Sequence, residues 1–547
     1  MKKILSVLIL LVLCQLSAQE KPSVEEWQDD IRFLQKTVHQ KYPFLFKKIT
    51  AEAFDKKIDA FYGAVPDLEA HEIVVGFSKI IALFKYGHTR MSFRDSPVPF
   101  HSLPLDLYRF KDGLYIKAAH QEYKELIGAT VVAIENKPIE QVLKAVYPTV
   151  PAENSMFYDA YGLDHLMIPE ILHAQGITTS LNTKITLTLK KEDGTFDYTV
   201  DAIKNLDIPL KYGEIRPDSD WTNGRDTTQT PYYLRHFDKV YYFEYLADAK
   251  TVYVRHSRIR NDDHENVTTF YNRLFDFIDA NEVEKLILDV RLNGGGNNYL
   301  NKPIITGIIG NEKINQPGKF FVITGRRTFS ACQNLINELD NYTNVLFVGE
   351  PSSENINFYG DNKRVTLPNS KLPVYLSFAW WQDKPQWENA DYITPHYPVE
   401  MTYQDYVANQ DPVLDVALNF KSKAFILDPM EYLAQLFEEG KYDLIASEAK
   451  RMVNDSGYNF FDFETQFNRV GQMLLGNNNE GALFVLGMNA ELFPESLNAW
   501  YNLAQAYLEV GEINKATKNY QKVIQLDPKS TAATSARSKL EKIQKRD

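Results

Sequence analysis

The chain has 547 residues, a formal net charge of −12, 44% hydrophobic and 13% aromatic residues, and two cysteines. That length calls for several domains rather than one core. The apolar content excludes a disordered chain, and the acidic balance argues against nucleic acid or an anionic membrane as partner.

Residues 1–19 read as a signal peptide: Lys2 and Lys3 precede an apolar run from Ile4 to Leu13, closed by Ser17-Ala18-Gln19. The run is too short to span a bilayer, and Leu13 is bulky where a lipoprotein signal wants a small residue before Cys14. The expectation is an exported protein, periplasmic or extracellular, with no integral membrane segment once the signal is removed. Cys332 then has no partner and is expected as a buried structural thiol.

Residues 20–96 carry three helical stripes, Trp27-Ile31-Leu34-Val38, Phe54-Ile58-Phe61 and Ile73-Phe77-Ile81-Phe84, ending at Tyr86-Gly87-His88-Thr89. Residues 97–205 turn to strands and short helices, dominated by 113–117 and 128–139. The polar stretch near 217–229 places a linker or loop at 206–235. From 236 to 424, strands at 251–255, 285–289, 319–324 and 345–348 alternate with helical patterns at 267–278 and 331–339. That is an α/β layout, with ligands expected at the carboxyl ends of the strands. In 425–547, Trp500, Leu503, Ala504, Tyr507, Gly511, Ala516, Tyr520 and Pro528 match the tetratricopeptide (TPR) pattern. One repeat of about 34 residues earlier, Ala482, Leu486 and Pro494 fall in step. Such arrays cap a neighbour or offer a concave peptide-binding face, so a protein partner is a second expectation for this tail.

Two turns carry the chemistry. Asp289-Val290-Arg291-Leu292-Asn293-Gly294-Gly295-Gly296 follows one apolar strand, and Thr328-Phe329-Ser330-Ala331 follows the next. Glycines let a backbone approach a ligand and aim N–H groups at it. A serine between strand and helix exposes its hydroxyl where amides converge. The residues by themselves fit an acyl-transfer site, and equally a tight turn followed by an ordinary helix cap.

In this order the two motifs resemble the tail-specific, or C-terminal-processing, serine peptidases, in which Asp-x-Arg-x-Asn-x-Gly-Gly precedes a Thr-x-Ser-Ala nucleophile turn. Val348-Gly349-Glu350-Pro351, Tyr359-Gly360, Leu367-Pro368-Asn369-Ser370 and Asp411-Pro412-Val413-Leu414 extend the resemblance. It implies a multidomain α+β protein: an N-terminal helical domain, a PDZ-like β-rich domain, an α/β ClpP/crotonase-like peptidase core and an all-α TPR tail. The PDZ-like part rests on Gly128–Ile139, with Glu135-Asn136 in its turn. The resemblance further implies Ser330 as nucleophile and an oxyanion hole from the N–H of Ala331 with that of Gly295 or Gly296. The substrate would be a peptide or an unfolded protein, with no cofactor.

The family's lysine position holds Asn355, whose amide is no base at neutral pH. Three readings follow. In the first, His88 is the base, since Tyr86-Gly87-His88-Thr89-Arg90 resembles the histidine turn of the related tricorn protease. That likeness makes Glu388, in Trp387-Glu388-Asn389-Ala390-Asp391, the orienting carboxylate; Gly87 and His396 depart from its pattern. In the second reading Lys363 serves as base. In the third, the chain is an inactive peptide-binding pseudopeptidase that uses its PDZ-like and TPR surfaces. No His-Glu-x-x-His, paired cysteines, Walker loop or Gly-x-Gly-x-x-Gly occurs, so no metal or nucleotide is expected.

Overall fold

The computed structural model describes residues 22–420, 426, 428–455, 458 and 461–544, so the expected signal peptide lies outside the described residues. Two compact units result: the described residues up to 395 with 399–420, and 396–398 with those after 420. Among the described residues, no helix is long and apolar enough to cross a membrane.

Ser23 opens α1 (Val24–Lys41) with a reciprocal cap, its hydroxyl accepting the Glu26 N–H while the Glu26 carboxylate accepts the Ser23 N–H. Two amides that a helix start leaves unpaired are thereby satisfied. Trp27, Ile31, Leu34 and Val38 form its buried stripe; α2 (Ala51–Ala64) and α3 (Ala70–Ala82) add Phe54, Ile58, Phe77 and Ile81. The chain leaves these helices through Lys85, at φ 52°, into a turn closed by the Thr89 N–H on the Tyr86 carbonyl at 2.8 Å. That turn carries His88.

A sheet follows, built from β1 (Leu105–Phe110), β2 (Gly113–His120), β3 (Thr130–Ile134), β4 (Lys184–Lys191), β5 (Gly194–Asp201) and β6 (Trp221–Asn223). Its order is β6-β2-β3-β4-β5, with β1 also on β2, and α4 (Ile139–Val146) follows the β3 turn. Glu135 and Asn136 in that turn take φ of 50° and 61°, the left-handed pair that a two-residue hairpin requires. The stretch expected as a linker differs from expectation: β6 pairs with β2, and Trp221 is 2% exposed. One buried tryptophan among polar neighbours leaves no periodic signal, which is why this strand is not legible in the sequence.

The next layer is a sheet in which β7 (Tyr241–Leu246) runs antiparallel to β8 (Thr251–His256). Beyond β8, the strands β9 (Lys285–Asp289), β10 (Phe320–Thr324) and β11 (Val345–Gly349) continue in parallel. Helices α5 (Val267–Ala280), α6 (Lys302–Gly310) and α7 (Ala331–Tyr342) cover it, and Leu274, Leu288, Val322, Ile336 and Phe347 share its core. Parallel strands buried on both faces read as continuous apolar runs, which made this part visible beforehand. A hairpin of β12 (Asn357–Thr366) and β13 (Pro373–Gln382) follows, then α8 (Pro412–Asn419). Val374 and Leu376 of the hairpin belong to one apolar cluster with Trp27, Ile116 and Ile134. The helical segment, the β-rich sheet and the hairpin therefore pack as one body.

The second unit holds α9 (Pro429–Glu438), α10 (Tyr442–Val453), α11 (Phe463–Leu474), α12 (Asn479–Leu492), α13 (Leu497–Glu509), α14 (Ile513–Leu526) and α15 (Thr531–Gln544). Gly511, at φ 81°, turns α13 into α14, and Ala504, Ala516, Tyr520 and Val523 fill the space between them. Small residues at helix crossings allow the close approach that repeat stacking needs.

Candidate active site

Both predicted turns lie at the carboxyl ends of parallel strands, as the topology demands. Ser330 sits just before α7 at φ 58°, ψ −130°, a conformation that costs a non-glycine residue on the order of 1–3 kcal/mol. The neighbouring turn holds it there. The Phe329 N–H donates to the Asn293 carbonyl at 3.1 Å, and the Thr328 hydroxyl to the Val290 carbonyl at 3.0 Å. The Ser330 N–H itself donates to the carboxylate of Glu354.

His88 meets Ser330 across the domain body, with Nε2 3.0 Å from the Ser330 Oγ. Its ring stacks on Phe329, centroids 4.6 Å apart, and its carbonyl accepts the Asn362 side-chain amide at 3.0 Å. The next residue, Thr89, donates its hydroxyl to Ser377 at 2.8 Å, pinning the turn to β13. The carboxylate beside His88 is Glu354, not the expected Glu388: Glu354 Oε1 lies 3.1 Å from Nδ1. Glu388 is exposed, in a turn where its N–H donates to the Pro385 carbonyl. Burial decides between the two glutamates. Glu354 is fully enclosed against the Ser330 turn, whereas the Glu388 segment stays at the surface. Glu354 directly precedes Asn355, the position the resemblance reserved for lysine; an acid in the small polar run Ser352-Ser353-Glu354 was the one available signal.

Asn355 turns away from the serine. Its N–H and side-chain amide both donate to Glu153, whose other oxygen accepts the Gly87 N–H at 2.8 Å. Glu153, which sequence reasoning missed, thus fastens the His88 turn to the Glu354 segment. Lys363 is elsewhere, its ammonium 4.9 Å from the Phe378 ring centroid. Cys332 is buried, and burial pushes its thiol well above the usual range.

The electrostatics follow from enclosure. Burial pushes His88 down to about 4, so the imidazole is neutral at neutral pH with a nitrogen facing the Ser330 hydroxyl. Burial, then repulsion from Glu354, pushes Glu153 up to about 8, and burial holds Glu354 well above the ordinary carboxylate range. The positive charge of Lys48 opposes both shifts. Among the described residues, His88, Glu153 and Glu354 are also the cluster with metal-ligand chemistry, their donor atoms within 4.8 Å of one another. His88 Nε2 meets Ser330, Glu153 accepts from Gly87 and Asn355, and Glu354 accepts the Ser330 N–H, while His88 Nδ1 and Glu354 Oε1 face each other with no further hydrogen-bond partner.

The glycine turn is braced from below. Arg291 donates to Asp289 at 3.0 Å and to Asp411 at 2.9 Å, and Tyr253 donates to Asp289 at 2.7 Å. The Gly295 N–H donates to the Asn293 side chain at 3.0 Å, so it is not free for a substrate oxyanion. Ile259 bonds the Gly295 carbonyl and the Asn297 N–H, which leaves the polar groups of Gly296 facing the other way. The Ala331 N–H, in the first turn of α7, is a donor that a helix start leaves unpaired. Gly295 has no room for a side chain: at φ 86°, a Cβ would lie 2.5 Å from the Ser330 Cβ and 2.8 Å from the Ala331 nitrogen. Gly295→Ala is expected to destabilise the protein by about 3 kcal/mol and to shift Ser330 off His88, read as a lower Tm together with lost reactivity toward a serine probe.

Comparison with known proteins agrees with this description at the level of fold. The tetratricopeptide repeat family matches residues 497–530. Mature CPAF complexed with lactacystin is similar to this chain with a TM-score of 0.50 at 12% identity, over 70% of this chain and 95% of that one. A CPAF mutant gives 0.50 at 12% over 74% and 99%. The photosystem II D1 C-terminal processing protease gives 0.33 at 13% over 68% and 93%. No curated protein matches the chain. At 12% identity the two CPAF structures speak to a shared fold alone.

Proposed function

We propose that this protein is an exported serine peptidase that hydrolyses peptides or unfolded protein tails through an acyl-enzyme on Ser330. The observation that carries the reading is the line Ser330 Oγ–His88 Nε2 at 3.0 Å and His88 Nδ1–Glu354 Oε1 at 3.1 Å, assembled from three distant segments. In this reaction His88 Nε2 takes the hydroxyl proton as Ser330 Oγ attacks the carbonyl carbon, then returns it to the leaving amine. Glu354 faces Nδ1 and orients the imidazole through both steps. The oxyanion faces the N–H of Ala331, with that of Gly296 as the second donor; losing one such donor costs about 10²–10³ in rate. The TPR tail would bring a protein partner or an unfolded substrate to the peptidase.

Labelling of the purified protein with a fluorophosphonate serine probe tests this. Labelling that disappears in Ser330→Ala supports an activated serine. No labelling of folded wild type moves the reading to a peptide-binding pseudopeptidase.

The pH profile is a second check. The folded His88 value of about 4 lies below its ordinary 6.5, so the neutral base persists as pH falls to about 4. The acid limb of kcat/KM is expected near pH 4 rather than 6.5. The stability His88 contributes is present above about 6.5 and is lost as pH falls through about 4. An acid limb at 6.5 would exclude His88 as the enclosed base.

A further inference from the structure

The cleft beside Ser330 encloses about 760 Å³ and opens against His88, Gly294 and Phe329. Arg90, Lys211, Arg258, Arg260 and Arg327 line it, and among the described residues no aspartate or glutamate does. The chain as a whole has 72 acidic residues against 60 lysines and arginines, so this concavity reverses the sign of the molecule around it.

The five cations make no close ion pair, although Arg327 draws on Asp106, Asp164 and Glu214 from further off and Arg260 on Asp262. Arg90 lies over the Tyr375 ring, Arg327 over Tyr161, and Lys211 donates to the Asp238 carbonyl. Among the described residues none of the five has a carboxylate within 4.0 Å. Burial first, then Arg216, holds the Lys211 ammonium below its usual range; Asp238 opposes this, and Arg255 and Arg260 add to it. Their anchorage ties them to the reaction centre. Arg90 follows His88, Arg327 shares the turn of Ser330, and the Arg258 guanidinium stands 3.7 Å from the Cβ position of Gly294.

Guanidinium groups without a carboxylate at contact distance focus positive potential in a concavity and grip carboxylates through paired N–H donors. A free chain terminus brings one carboxylate, too few for five cations. We infer that this cleft selects peptides carrying acidic side chains beside the scissile bond. The inference rests on the peptidase reading for the word scissile, and on the cleft alone for the charge preference.

Binding is measured on the Ser330→Ala protein, by fluorescence anisotropy, with an octapeptide of alternating Glu and Ala and its Gln-Ala counterpart. Both peptides are labelled and blocked at each end, so that no terminal charge contributes. The Glu peptide is expected to bind at least about 10-fold more tightly. The gap should close between about 50 mM and about 500 mM NaCl as screening shortens the reach of charge. The double variant Arg258→Gln/Arg260→Gln should erase most of it.

Equal binding, or binding of neither peptide, overturns the inference, as does a thymidine octanucleotide that outcompetes the Glu peptide. Wild-type cleavage separates the two claims. Charge-selective binding without Ser330-dependent hydrolysis would keep the acidic-peptide site and remove the peptidase reading. Hydrolysis indifferent to peptide charge would do the reverse.

Discussion

Alanine at Ser330 or at His88 is expected to lower kcat for peptide hydrolysis by a factor on the order of 10⁶, and the double variant should be no worse than either single one. The reason is mutual dependence. Without the imidazole the hydroxyl has no acceptor for its proton, and without the hydroxyl the imidazole, 3.0 Å away, has nothing to activate. Lys363→Ala should leave the rate unchanged, since that ammonium rests on Phe378. Steady-state kinetics on the four proteins, with circular dichroism to verify folding, decides the matter. Additive losses, or a full loss in Lys363→Ala, would sink the Ser330–His88 pairing.

Glu354→Gln is expected to lower kcat by about 10⁴, while Glu388→Gln leaves it unchanged. Glutamine keeps the volume of Glu354, and its carbonyl still accepts the Ser330 N–H. It removes the carboxyl oxygen that faces His88 Nδ1 3.1 Å away and lets the wrong imidazole tautomer form. Glu388 is exposed and holds nothing at the site. The contrast between the two variants at matched stability separates catalysis from packing. A reversed outcome would return the orienting role to Glu388.

Much of this architecture was readable because it is written locally. Each buried parallel strand is a short apolar run, each run ends in a small-residue turn, and the TPR positions repeat along a single helix pair. The Ser330 turn and the glycine turn are each contiguous, so their residues announce themselves. His88 was reachable through its own compact turn, Tyr86-Gly87-His88-Thr89. The strand at Trp221 was hidden because its partner is remote and its neighbours are polar.

What the sequence by itself determined is the Ser330 turn, the glycine turn, the repeat tail and the helical stripes. All of these depend on residues within one or two turns of each other. Only the tertiary structure decided which glutamate reaches His88, that Glu153 ties the Gly87 turn to Asn355, and that the Gly295 N–H is spent on Asn293. Those choices rest on enclosure. A buried carboxylate must find its donors wherever the chain brings them, and two glutamates that look alike in a sequence separate once one is sealed against Ser330 and the other is left in water.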